Sequence, residues 1–391
     1  LPIIGIIKRY RGQGIAGIMM NTLISYLRKK GFEKLSLETW QGSPAQNFYQ
    51  KNRFMVNKVV NDRNGGVKSV KMFRLLGEID SEQDSFYTST LEYHKELSRE
   101  LCIDLFIKRD DLYPKFGGGN KARKLDFILD KARNQNYNSV VTAGGAQSNH
   151  CRATALYAAS LGWKTILIIH GDKPERYEGN LKLMELSGAE IRFVKQADVK
   201  EAMDNAISDL EKEGLKPYYI WGGGHSVEGA LAFYEAVKEL RSQLGNTIPD
   251  YLMVASGTGT TQAGLEIGIR HFYPECKVIG VSVAREEKRG KEEILKSMRE
   301  LNEYLDNRID LPDTITFDTS KCGVGYETVF PELIETVQEA IKKGLVLDPT
   351  YSGKAFYGMK SFIEEGTIEE NSNVVFWHTG GLMNLLSSSA V

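Results

Sequence analysis

The sequence predicts an α/β protein of parallel sheets with helices on both faces, preceded by a shorter α/β segment. Two observations carry this prediction. From about residue 88 onward, short apolar runs alternate with helical spacing, and most runs close on glycine before the helix begins. At 391 residues the chain also exceeds what one hydrophobic core usually serves, so two or three domains are expected. Such sheets bind ligands at the C-terminal ends of their strands, which directs attention to the strand-to-helix loops.

Bulk composition narrows the class. With 50 Lys and Arg against 51 Asp and Glu, the chain has no overall basic excess to draw it to nucleic acid or an anionic membrane. Cys102, Cys151, Cys276 and Cys322 lie far apart without a Cys-x-x-Cys, so neither a metal site nor a disulfide framework is expected, and a cytoplasmic setting fits. No apolar run reaches the roughly 18 residues of a membrane span, and the first residues lack a signal-peptide pattern. The chain begins at Leu1 rather than methionine, so the first segment is expected to be the tail of a larger unit.

That segment runs to about residue 76. Ile3 to Ile7 suits a buried strand; after Arg11-Gly12-Gln13-Gly14-Ile15-Ala16-Gly17, the apolar Ile18, Leu23, Ile24 and Leu27 fall on one helix face, and Leu35 to Thr39 alternates as a strand does. Glycines between strand and helix leave N–H groups open to an anion such as a pyrophosphate. Asn61 to Gly66 reads as a hairpin tip with Val67 to Leu76 as the returning strand, and Gly77 to Thr90 as a polar linker. These residues resemble GNAT-type N-acetyltransferases. Arg11, Gly14 and Ala16 match that family's acetyl-CoA loop, and Ala45-Gln46-Asn47-Phe48-Tyr49 with Arg53-Phe54 its second motif. The resemblance implies acetyl-CoA at the loop and Tyr49 as the acid for the departing thiolate. It covers only the second half of that fold, and Gly42 and Arg53 depart from its pattern, so a structural remnant or regulatory appendage is the competing expectation.

In the longer segment, strands are expected at Leu105 to Lys108, Val140 to Ala143, Thr165 to Ile169, Ile191 to Val194, Tyr218 to Trp221, Tyr251 to Ala255, Lys277 to Val283 and Val374 to Trp377. Glu286 to Asn307, charged and helical in spacing, reads as an exposed helix. The organising stretch is Phe116-Gly117-Gly118-Gly119-Asn120-Lys121-Ala122-Arg123-Lys124-Leu125: a tight glycine loop feeding a helix. A desolvated amine there loses its proton near neutral pH, as Schiff-base chemistry with a carbonyl cofactor requires. Taken alone, the same text also describes a surface helix start.

Four strand-end loops add to it. Gly144 to Arg152, with Ser148, suits a carboxylate or is a serine-capped turn. Trp221-Gly222-Gly223-Gly224-His225-Ser226 reads as a tight turn and is assigned no catalytic role. Ser256-Gly257-Thr258-Gly259-Thr260-Thr261 alternates glycine with hydroxyls, a nest of donors suited to a phosphate dianion and lacking the lysine of a triphosphate site. His378-Thr379-Gly380-Gly381 places the neutral Thr379 hydroxyl beside the same crevice, with His378 expected as a satisfied core histidine. An aldehyde tether and a separate dianion cup are the minimum for pyridoxal phosphate.

Over about 300 residues, Leu91-Glu92-Tyr93, Ile107 to Leu112, Gly118 to Leu125, Gln147-Ser148-Asn149, Asp348 to Lys354 and His378 to Gly381 resemble the family of 1-aminocyclopropane-1-carboxylate deaminase and D-cysteine desulfhydrase. That resemblance implies a two-domain pyridoxal-phosphate (PLP) enzyme of fold type II, tryptophan-synthase-β-like, over residues 91–391, with a smaller subdomain over roughly 121–235, and a homodimer. It implies Lys121 as the cofactor-bound lysine and base, Ser148 at the substrate carboxylate, Asn149 at the cofactor's ring oxygen, and Ser256, Gly257, Thr258, Gly259, Thr260 and Thr261 as the phosphate cup. Tyr326 and Tyr351 would hold or polarise substrate, with Ser352 and Thr379 at the ring nitrogen.

The deaminases carry glutamate where this chain has Ser352 and leucine where it has Thr379. A hydroxyl leaves the ring nitrogen largely neutral, which suffices for loss of a good leaving group from Cβ. The expectation is D-cysteine β-elimination to pyruvate, ammonia and hydrogen sulfide. Cysteate, an activated serine, β-substitution or the cyclopropane substrate are the alternatives, and an acyltransferase with an amino-acid-binding module is the reading outside the class. Ser352, threonine in the desulfhydrases, and Leu382-Met383-Asn384, which departs from the family's small and aromatic residues, leave the substrate open.

Overall fold

The computed structural model describes residues 34–51, 55–60, 68–75 and 87–388 apart from 307, 308, 324 and 327, together with Met20, Leu23, Leu27 and Phe32. The chain divides into two compact units, Leu1–Ser85 and Phe86–Val391. In the first, β1 (Lys34–Trp40), β2 (Met55–Val60) and β3 (Ser69–Leu75) form an antiparallel sheet in the order β1-β3-β2, with a helix at Pro44–Lys51. Its small core gathers Met20, Leu35, Val70 and Met72, with Leu23, Leu27, Leu37, Phe48 and Tyr49 packed against them. The first expected strand and the Arg11 to Gly17 loop lie outside the described residues, as does the hairpin tip.

In the second unit the described strands are β4 (Leu91–Tyr93), β5 (Asp104–Lys108), β6 (Ser139–Gly145), β7 (Lys164–His170), β8 (Glu190–Val194), β9 (Pro217–Ile220), β10 (Tyr251–Ser256), β11 (Lys277–Ser282), β12 (Thr316–Asp318) and β13 (Asn373–Trp377). They build two sheets, β12-β11-β10-β13-β5-β4 and β8-β7-β6-β9. Every pairing is parallel except β4 with β5, which is antiparallel. The continuous apolar runs of β10 and β13 follow from burial on both faces: Leu252, Met253, Val254, Val375 and Phe376 are buried in clusters on either side of the larger sheet.

Two expectations change. The charged Glu287–Tyr304 helix is not simply exposed, because Ile294, Met298 and Leu301 recur at intervals of three and four and bury one stripe against Ala230, Tyr234 and Ile267. Trp221 falls beyond β9 and is exposed at the strand's end. The short β4 and β12 have no long apolar run, so nothing in their periodicity announced them.

One buried carboxylate ties the elements that carry the expected site. Asp110 accepts hydrogen bonds from Arg123 Nη2 at 2.7 Å, Ser89 Oγ at 2.7 Å and Trp377 Nε1 at 2.9 Å. Burial alone would raise its pKa, but the Arg123 guanidinium and Lys108 outweigh that and hold it below the usual carboxylate value. Arg123 also donates to Glu239 at 2.9 Å, and Lys108 pairs with the same carboxylate. A depressed carboxyl contributes stability above its unfolded pKa, about 3.9, and that contribution is lost as pH falls through the folded value. Asp110→Ala strands a buried guanidinium and should cost about 3–5 kcal/mol in chemical denaturation at pH 7, with the gap to wild type narrowing in acid.

Candidate active site

The strands of both sheets point their C-terminal ends at a cleft of about 1270 Å³. Lys121 enters it from the first turn of the Asn120–Asn134 helix. The preceding Gly117, Gly118 and Gly119 take φ of +78°, +69° and +92°, and a Cβ on Gly118 would lie 2.0 Å from the Asp111 carbonyl oxygen, so only glycine fits. Arg152 donates to the carbonyls of Gly117 and Gly118, both at 3.1 Å, and the Asn120 N–H donates to the Thr379 carbonyl at 2.9 Å. The loop is thus fastened on both sides before the lysine is reached.

Lys121 Nζ donates to the Gly223 carbonyl at 3.1 Å, and Lys124 Nζ, one turn on and buried, reaches the same oxygen at 3.5 Å. Among the described residues no carboxylate lies within ion-pair distance of either amine. Burial lowers the Lys121 pKa to about 8. Lys124 is pushed well below the ordinary lysine value by burial and then by Lys121 itself. His150 adds to this carboxylate-poor environment. Thr142 Oγ1 donates to the Ile220 carbonyl at 2.8 Å, so His150 Nε2 carries the proton it donates to that hydroxyl at 2.9 Å. Its Nδ1 is buried with no partner, and burial followed by the two lysines keeps the ring neutral.

The expected phosphate cup borders the same space. Ser256, Gly257, Thr258, Gly259 and Thr261 line the cleft. Gly259 takes φ +91°, a Cβ on it would lie 2.6 Å from Ile294 Cγ1, and the next helix begins at Thr260. Ser256 Oγ is buried without a hydrogen-bond partner. Thr260 is not among the lining residues; its hydroxyl is bonded to His225 Nδ1 at 2.8 Å.

Of the other expected residues, Ser148, Asn149, Tyr326, Tyr351 and Thr379 line the cleft. Ser148 also caps the Asn149–Ser160 helix, its Oγ accepting the Cys151 N–H at 3.2 Å. The Tyr326 and Tyr351 hydroxyls are hydrogen-bonded to each other. Ser352 is not brought to the cleft: the residue is 1% exposed and its hydroxyl donates to Asp348 Oδ1 at 2.6 Å. Asp348 also accepts the N–H groups of Thr350, Tyr351 and Ser352 and so shapes the start of the Ser352–Glu364 helix. The neutral hydroxyl that faces the cleft from this side is Thr379. His378 is a core histidine, with Nε2 donating to the Val346 carbonyl at 2.8 Å and Nδ1 accepting the Gly380 N–H at 3.2 Å.

Sequence reasoning missed the Gly223 carbonyl, His150 and Arg152. The run Gly222-Gly223-Gly224 carried a signal for the first: a Cβ on Gly223 would sit 2.8 Å from Thr258 and 3.4 Å from Lys121 Nζ, a close approach of three chain segments. Tyr49 lies on the Pro44–Lys51 helix, half-buried against the small core of its own unit; Arg11, Gly14 and Ala16 lie outside the described residues.

Residues 84–380 match the model of the pyridoxal-phosphate dependent enzyme family, and residues 3–54 match that of the acetyltransferase (GNAT) family. A Pyrococcus abyssi protein named for 1-aminocyclopropane-1-carboxylate deamination is 36% identical over 307 residues, covering 76% of this chain and 90% of its own. A D-cysteine desulfhydrase of Klebsiella pneumoniae is 33% identical over 301 residues, covering 74% and 90%. Among solved structures, an ACC deaminase homologue superposes with a TM-score of 0.70 at 31% identity, covering 77% of this chain and 94% of its own.

The lowered amine pKa has a direct consequence for reactivity. In cofactor-free protein, trace acetylation of Lys121, mapped by mass spectrometry, should rise with an apparent pKa near 8, whereas exposed lysines titrate near 10.4. A Lys121 profile indistinguishable from theirs would contradict the desolvated site.

Proposed function

The chain belongs to the family of pyridoxal-phosphate-dependent enzymes that includes 1-aminocyclopropane-1-carboxylate deaminase and D-cysteine desulfhydrase, and from that membership we propose that it eliminates a Cβ substituent from a small amino acid, D-cysteine first among the candidates. The observation that carries the proposal is the Lys121 amine, bonded to the Gly223 carbonyl with no acid beside it and facing a cup of hydroxyl and glycine N–H donors. The residues fit the cofactor. Ser256 Oγ is an orphaned buried donor at the cup, and Asn149 lines the cleft with its Oδ1 already engaged by Asn180 Nδ2.

Lys121 would hold the cofactor aldehyde, Ser256 to Thr261 its phosphate, Asn149 its ring oxygen, and Thr379 its ring nitrogen through a neutral hydroxyl. When bound, pyridoxal phosphate supplies the sink for the electron pair left on Cα. Around it, the protein's work is positioning and proton transfer. Ser148 and the N–H groups at the start of its helix bind the substrate carboxylate. Lys121, its pKa lowered by burial, takes the Cα proton. The Tyr326 and Tyr351 pair orients the substrate and donates toward the departing sulfur. Overall, cysteine and water give pyruvate, ammonia and hydrogen sulfide.

The neutral Thr379 hydroxyl, where the deaminases carry leucine, leaves the ring nitrogen largely uncharged and so favours a good leaving group over the strained ring. A second reading has its own support: beyond the residues assigned to the cofactor, the cleft is lined by His170, Lys200, Tyr219 and Trp221. Polar and aromatic side chains of that size would contact a bulkier Cβ substituent, such as an activated serine.

The purified chain with pyridoxal phosphate should show a visible absorbance band that is lost in Lys121→Ala. It should release pyruvate and sulfide from D-cysteine and leave 1-aminocyclopropane-1-carboxylate untouched. A chain without the band contradicts the cofactor; a band with D-cysteine inert contradicts the substrate.

A further inference from the structure

The Leu382-Met383-Asn384 departure, which the proposed reaction leaves unused, has a place in the site. Asn384 lies on the short Leu382–Leu386 helix that follows β13 of the six-stranded sheet, and it is 6% exposed. Its Nδ2 donates to the Gln147 carbonyl at 3.1 Å, in the loop after β6 of the four-stranded sheet. Its Oδ1 accepts from Asn180 Nδ2 at 3.3 Å. Asn180 is fully buried at the start of the Gly179–Leu186 helix, and the two hydrogens of the same Nδ2 are shared among Asn384 Oδ1, the Gln147 carbonyl at 2.9 Å and Asn149 Oδ1 at 3.0 Å. The Gln147 side chain returns the contact by accepting the Asn180 N–H at 2.9 Å. A Cβ on Gly179 would lie 2.6 Å from Gln147 Oε1 and 3.1 Å from the Met383 carbonyl, so the three segments meet where only glycine leaves room.

We infer that Asn180 and Asn384 form an amide clamp that decides which end of the Asn149 side chain faces the cofactor. The two ends of an amide are nearly the same in shape and opposite in hydrogen-bonding sense, so packing alone does not select between them. Here Asn149 Oδ1 is engaged by a buried donor. The NH2 end is therefore the one left to the cleft, and an NH2 is what an anionic ring oxygen accepts from. Asn384 presents an acceptor to Asn180 Nδ2 and anchors the Gln147 carbonyl. It thereby joins the loop bearing Ser148 and Asn149 to the larger sheet's C-terminal end. Asn180 and Asn384 are positioning residues: they act through Asn149 and touch neither substrate nor cofactor.

The inference rests on the pyridoxal-phosphate reading, and its test separates the two. The full chain and its Asn180→Leu, Asn384→Ala and Asn149→Ala variants, with the two doubles containing Asn149→Ala, would be titrated with pyridoxal phosphate. Affinity, the wavelength of the bound-cofactor band and the melting temperature would be recorded. Asn180→Leu and Asn384→Ala should keep the Lys121-dependent band but shift it, and should weaken cofactor binding roughly tenfold, the scale of one lost buried hydrogen bond. Neither should weaken binding further once Asn149 is alanine. Losses that add fully in the doubles, or single variants with unchanged affinity and wavelength, overturn the clamp. A wild-type chain with no Lys121-dependent band overturns the function and the clamp together.

Discussion

The Asp110 carboxylate is the constraint on which the site depends. It receives Arg123 from the helix that presents Lys121, Trp377 from the last strand before the Thr379 loop, and Ser89 from the chain entering the unit. Its own carbonyl accepts the Gly119 N–H at 2.7 Å, and the Asp111 N–H donates to the His378 carbonyl at 3.0 Å. Two loops that must face each other across a cofactor are thus referred to one buried charge. Such a carboxylate is a poor source of net stability, because desolvation offsets most of its attraction to Arg123. What it contributes is registry: once buried, it tolerates few arrangements other than the one that satisfies all its donors.

A few ångströms further along the same helix the electrostatics reverse. Arg123 has Asp110 and Glu239, whereas among the described residues Lys121 and Lys124 share the Gly223 carbonyl and pair with no carboxylate. A carbonyl dipole cannot offset the cost of burying two ammonium ions, so the chain keeps at least one amine uncharged. The contrast between residues 121, 123 and 124 shows why the helix is built as it is. The arginine faces the acids and fixes the helix, and the lysines face the Gly223 carbonyl with no carboxylate within ion-pair distance among the described residues, and stay basic. A nucleophile and proton acceptor at neutral pH follows from that placement.

Much of this was legible in the sequence, and the reasons differ by feature. The parallel strands were legible because burial on both faces makes β6, β7, β10, β11 and β13 largely apolar runs, most of them followed closely by glycine. The loops carrying Lys121 and Ser256 to Thr261 were legible as turns at the cleft because glycines at defined places in them take positive φ and leave no room for a Cβ. Ser352 was misplaced because the tetrapeptide around it does not reveal whether a serine faces the cleft or caps its own turn on Asp348; that choice is made by the burial of Asp348. The buried stripe of the Glu287–Tyr304 helix was hidden by its charged majority. Gly223, Asn180 and Asn384 act through pairings over tens to hundreds of residues, which no local spacing encodes.

The most direct measurement of the central claim is to add pyridoxal phosphate to the full chain, reduce it with borohydride and locate the attached pyridoxyl group by peptide mass spectrometry. The two candidate amines lie three residues apart and reach the same carbonyl oxygen, so the result discriminates sharply. The account predicts the group on Lys121 alone, with Lys124 unmodified. Attachment at Lys124, or scattered over surface lysines with Lys121 bare, would contradict it.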